Sequence, residues 1–123
     1  MVKKPELIAG VLDVGTFNVQ VGVFQSVKNC VKYLRNLGCD PVHDTRACYG
    51  QARWDEDKDG VLWWSIVIED DATTATVVHE CVHMADFIMD KLGIPTGVKN
   101  TEVRAYLTAD IFRGVMQILG RAE

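Results

Sequence analysis

His79-Glu80-Cys81-Val82-His83 is the stretch on which the reading of this chain turns. It has the form H-E-x-x-H and falls inside an expected helix. Residues four apart on a helix share a face and rise about 6 Å, so both imidazoles can reach one ion. Zn²⁺ is the metal that such pairs usually hold. Glu80, one residue past the first histidine, is placed to take a proton from water beside the ion.

Nineteen residues after His83 stands Glu102, in a second helical pattern. A carboxylate from a separate helix would complete a His₂Glu set with one open position, the arrangement of a catalytic rather than a structural zinc site. The other reading of Glu102 is a solvated acid in a helical first turn, where acids are favoured. Asp86 and Asp90 project from the same helix as the histidines and suit outer-sphere work better, Asp86 being the nearer to His83. Tyr106 lies one turn after Glu102 on the same face. It reads either as a hydroxyl donor to a ligand or oxyanion, or as a core aromatic with a wet tip. Arg104 and the loop residue His43 read as surface groups.

The chain has 123 residues, enough for one domain spanning 1–123 with its own core. Its composition, 48% hydrophobic and 24% charged, is that of a globule rather than a disordered segment. A net charge of −4 argues against a nucleic-acid surface, which needs a basic stripe. No run of apolar residues is long enough to span a bilayer, and Pro5-Glu6 interrupts the basic start, so neither a membrane nor a secretory signal is expected. Cys30, Cys39, Cys48 and Cys81 form no C-x-x-C pair and read as reduced, buried thiols of a cytoplasmic protein.

Working outward from the motif, Val78, Cys81, Val82, Ala85, Ile88, Met89 and Leu92 form an apolar stripe facing a core. His79, His83, Asp86 and Asp90 form a second, polar stripe that reads as the wall of a cleft. Asp70 or Asp71 is expected to cap this helix, and Gly93-Ile94-Pro95-Thr96-Gly97 to end it near Leu92. A last helix is expected from about Thr101 to Leu119. Upstream, Leu7–Val14 and Phe17–Phe24 read as strands around a turn at Gly15. Ser26 then caps a helix that stops at Gly38. Ala47–Trp54 and Val61–Ile68 read as a hairpin closed by Asp55–Gly60. The second arm carries the strongest strand signal. It reads either as an edge that pairs with an extended peptide or as an internal core strand.

Two patterns are set aside. Asp55-Glu56-Asp57-Lys58-Asp59-Gly60 begins like a calcium loop, but its twelfth position is Ile66, where a bidentate glutamate is needed. Asp13-Val14-Gly15-Thr16 looks like a phosphate loop of actin-like ATPases, whose other motifs are missing; a hairpin turn is expected.

His79-Glu80-Cys81-Val82-His83-Met84-Ala85-Asp86, followed by Asn100-Thr101-Glu102-Val103-Arg104-Ala105-Tyr106-Leu107, resembles the gluzincin clan of zinc metallopeptidases. Within it, the pattern is similar to small metallopeptidases encoded by bacteriophages. The resemblance covers residues 61–112. It implies an α+β, zincin-like fold: a small twisted sheet packed on an active-site helix and a backing helix. It implies zinc on His79, His83 and Glu102, with Glu80 as general base and a peptide or protein as substrate; Tyr106 is a catalytic candidate from its place on the Glu102 face alone. The resemblance also implies attack of a metal-activated water on a peptide carbonyl. The chain departs from the larger gluzincins in lacking the helical domain after the glutamate helix, with its oxyanion-steadying histidine or tyrosine. The alternative is therefore a zincin-fold protein of weak or no activity that binds a protein partner.

Overall fold

A computed structural model describes residues 6–41, 49–95 and 97–122. The chain is α+β. In order come β1 (Gly10–Val14), β2 (Val19–Phe24), α1 (Val27–Asn36), β3 (Gly50–Glu56), β4 (Leu62–Ile68), α2 (Thr74–Lys91) and α3 (Thr101–Leu119). The strands form one mixed sheet in the order β1-β2-β4-β3. β1 and β3 run antiparallel to their neighbours, while β2 and β4 run parallel. Parallel neighbours need a long crossover, here the segment containing α1 and β3.

Both expected hairpins form, with corrections at their turns. Between β1 and β2 the chain makes a 3₁₀ turn over Gly15–Phe17, and the left-handed residue is Asn18 (φ 54°), not Gly15. Asparagine tolerates that region because its short polar side chain can bond locally. The β3–β4 turn is organised by Asp57. Its Oδ1 accepts from the backbone N–H groups of Asp59 (2.8 Å) and Val61 (3.0 Å), and its Oδ2 accepts from the Trp63 indole N–H (3.1 Å). These bonds, the indole's first, hold the Asp57 carboxyl below its ordinary range. A turn closed in this way has its aspartate engaged with the protein itself.

β4 is internal, with β2 on one side and β3 on the other. The peptide-pairing reading of Val61–Ile68 is thereby corrected, because both its backbone edges are already bonded within the sheet. The period of two sends its side chains to opposite faces. Trp64, Ile66 and Ile68 join Val21 and Val23 under α2 and α3, while Val67 and Phe24 meet α1. The sheet is therefore covered on both faces, with α1 alone on one and the α2–α3 hairpin on the other.

Each helix has a local cause. Ser26 caps α1 by accepting from Asn29 N–H at 3.1 Å, as expected. α2 is capped by Thr73, whose hydroxyl accepts from Thr76 N–H, rather than by Asp70 or Asp71. Those aspartates belong to the loop before it, which is gripped by Arg121. The guanidinium donates to the carbonyls of Ala72 (2.6 Å), Glu69 (3.1 Å) and Asp70 (3.2 Å). The buried stripe of α2 is Val77, Cys81, Met84, Ala85, Ile88 and Met89. It is rotated from the sequence reading, since Val78 and Leu92 are exposed. Burial of each such aliphatic side chain contributes about 1.5–3 kcal/mol, which outweighs helix propensity and fixes how α2 rolls on the sheet.

Cys30, Cys39 and Cys81 are free and buried, as expected. Cys48 and His43 lie outside the described residues. Among the described residues, no helix is long and apolar enough to cross a membrane.

Candidate metal centre

The core stripe of α2 turns its other side outward, and that side carries His79 and His83. Their Nε2 atoms lie 3.0 Å apart, with ring centroids 4.6 Å apart and planes near perpendicular. One Nε2–H can donate to the other Nε2 at this distance. Two imidazoles bound to one tetrahedral zinc, at the usual bond length, place their nitrogens about 3.3 Å apart. The separation of the two nitrogens is thus within a few tenths of an ångström of the spacing that zinc requires. Both rings are exposed.

Unlike the two histidines, Glu80 is buried, at 8% exposure. It points from α2 toward β3, and its Oε1 comes within 3.9 Å of His79 Nε2. The room for it is made by Gly50, since a Cβ there would lie 2.9 Å from Glu80 Cγ. Cys81, next in sequence, faces the core and away from the histidines. Burial, aided by the Glu80 charge, pushes its thiol up to about 12.

Glu102 does not join the pair. It is exposed in the first turn of α3, and among the described residues no three His, Cys, Asp or Glu side chains gather as a metal-binding group. The register of the helical hairpin gives the reason. Arg104 meets Asp86 through two bonds, Nε to Oδ1 at 2.7 Å and Nη2 to Oδ2 at 3.0 Å. In an antiparallel pair this sets Glu102 level with Ile88, about 7 Å beyond His83 along the helix axis. The same ion pair occupies Asp86, which bonds Arg104 rather than a histidine. Arg104 is an exposed surface group, as read, but a partnered one. Tyr106 is 70% exposed and so is not a core aromatic.

Three residues near the pair went unremarked in the sequence. Phe87 continues the row of His79 and His83 at the same four-residue step, and its ring stacks on His83 at 18° with centroids 6.3 Å apart. Lys91 follows at the next step, its ammonium 3.7 Å from the centroid of the Trp54 ring. The Phe87 and Lys91 positions were legible from helical spacing. Trp54 was not, since only the tertiary fold brings β3 alongside α2.

On the far side of the histidines, Val78 and Val82 face α3 across a groove of about 460 Å³, lined also by Arg104, Thr108 and Phe112. Set against models of known protein families, against curated proteins and against solved structures, the chain matches none.

Proposed function

We propose that this protein is a zinc-dependent hydrolase of peptide or amide bonds, a minimal metallopeptidase of the gluzincin pattern. The observation that carries the reading is the His79–His83 pair at 3.0 Å with the Glu80 carboxylate set against it. His79 and His83 would hold the zinc through Nε2. Zinc there would supply Lewis acidity, polarising a carbonyl and making water acidic enough to react. Glu80, confined by Gly50, accepts the proton of the attacking water and delivers it to the leaving amine. Mere metal binding would not need this carboxylate.

Glu102, which stands apart from the pair in this structure, is our proposal for the third ligand on the strength of the sequence pattern. The Glu102→Ala variant reports on this directly. Loss of zinc affinity supports the assignment, and unchanged affinity means that the third position is filled otherwise. Tyr106, being exposed, is available to donate to an oxyanion.

The separation of Glu102 from the histidines favours a second reading, in which the protein holds zinc and binds a partner without turnover. Hydrolysis of denatured casein by zinc-loaded protein separates the two. The first reading expects cleavage that Glu80→Gln abolishes while zinc stays bound. Cleavage that survives in Glu80→Gln removes the general-base role, and no cleavage in the parent supports the second.

A further inference from the structure

His83 is an exposed ring on the outward face of α2, and nothing in a helical backbone aims it at His79. A side chain in that position samples several staggered rotamers, and only some of them turn Nε2 toward the other imidazole. One turn later stands Phe87. Its ring is half-buried and packs against the core between the sheet and the α2–α3 hairpin, so the core sets its place. The Phe87 and His83 rings lie 18° from parallel with centroids 6.3 Å apart. That falls within the roughly 4.5–7 Å of an aromatic pair. One turn earlier, His83 meets the His79 ring at 81° and 4.6 Å. His83 is thus held between a ring rooted in the core and the imidazole with which it would share an ion. Among the described residues His79 has no ring beside it other than His83.

We propose that Phe87 is a positioning residue for the metal. It sets the His83 ring, before any ion arrives, in the orientation that binds one. His83 is then the preset ligand, and His79 closes on the ion that His83 presents. The inference rests on the zinc reading above and adds to it a residue outside the motif. A phenyl ring has no lone pair to give a metal, so Phe87 acts through the orientation of His83 alone. Ordering a side chain on binding costs affinity, and a side chain ordered beforehand carries no such cost. The flat face is what matters. An aliphatic side chain at this position would still fill the core but would not stack on an imidazole.

The test measures zinc dissociation constants by competition with a chromophoric chelator, on the full chain purified without a polyhistidine tag. Phe87→Leu keeps an apolar side chain and removes the ring, while Phe87→Tyr keeps the ring. Zinc affinity is expected to fall about fivefold in Phe87→Leu, the scale of one immobilised side chain, and to stay within about twofold of the parent in Phe87→Tyr. A residue that served stability alone would lower the urea midpoint and leave the zinc affinity of the folded protein unmoved. A second readout needs no metal. In the proton NMR spectrum of the zinc-free protein, the His83 ring signals are expected to move in Phe87→Leu, as the ring current is lost, and to stay near the parent's in Phe87→Tyr. Equal zinc affinity in the parent and Phe87→Leu overturns the inference and leaves the metal site standing. Affinity as weak in Phe87→Tyr as in Phe87→Leu does the same, as do His83 signals indifferent to Phe87→Leu. A parent that binds no zinc overturns the inference together with the hydrolase reading, which tells the two failures apart.

Discussion

Glu80 packs against Gly50, across the gap between α2 and the edge strand, in a space that no larger residue leaves open. A Cβ on Gly50 would lie 2.9 Å from Glu80 Cγ, 3.0 Å from Thr76 Cγ2 and 3.3 Å from the Val67 carbonyl oxygen. One of these neighbours is backbone and cannot swing aside. The glycine thus holds the only buried acid among the described residues at the histidine pair.

Gly50→Ala is expected to cost about 1–3 kcal/mol, the usual effect of overpacking a filled site. Urea unfolding monitored by tryptophan fluorescence measures it. A loss below about 0.5 kcal/mol would mean that β3 yields easily and does not confine Glu80.

Arg121 joins the end of α3 to the loop that launches the histidine helix. Arg121→Ala removes three donated hydrogen bonds to carbonyls. Bonds from a charged donor commonly contribute about 1.5–3 kcal/mol, and these share one side chain. The expected destabilisation is about 2 kcal/mol, seen as a lower urea midpoint. An unchanged midpoint would show that the loop is held by its backbone alone.

The Arg104–Asp86 pair calls for the opposite expectation. Its side chains are 44% and 34% exposed, so solvent screens most of the attraction. Arg104→Ala is expected to cost less than about 1 kcal/mol. A double-mutant cycle with Asp86→Ala checks this, and a coupling well above that figure would contradict it.

How far the sequence could be read follows from which features are local. The histidine pair was legible because an i, i+4 relation is a property of one helix. All three helices were legible for the same reason, through apolar spacing, though of the expected N-caps only Ser26 formed. The roll of α2 was not, since Val77 and Met84 rather than Val78 and Leu92 meet the sheet, and that depends on where β4 lies. The internal position of β4 follows from its parallel pairing with β2 across an intervening helix and strand, which no local pattern encodes. Glu102 falls out of register because the α2–α3 hairpin brings Arg104, not Glu102, to Asp86, an offset that belongs to the tertiary fold. Gly50 and Trp54 carried no signal until the fold set β3 beside α2.

Alkaline pH offers a separate check on the core. Burial raises the Cys30 thiol from 9.0 to about 11 and the Cys81 thiol from 9.0 to about 12. Both remain neutral in the folded protein at a pH where the unfolded chain ionises. Their stabilisation is complete below pH 9.0 and is lost progressively as pH rises toward those folded-state values. Urea midpoints are expected to fall from pH 9 upward, less steeply in Cys81→Ala once its own cavity cost is subtracted. Neither thiol is expected to react with iodoacetamide in the native protein at neutral pH. Rapid labelling of Cys81 would contradict its placement behind the histidine pair.

The central claim is that His79 and His83 hold zinc, and elemental analysis tests it most directly. The protein should be purified without a polyhistidine tag and dialysed against trace zinc, with His83→Ala alongside. The account predicts about one zinc per chain in the parent and none in the variant. No zinc in the parent, or equal zinc in both, would contradict it.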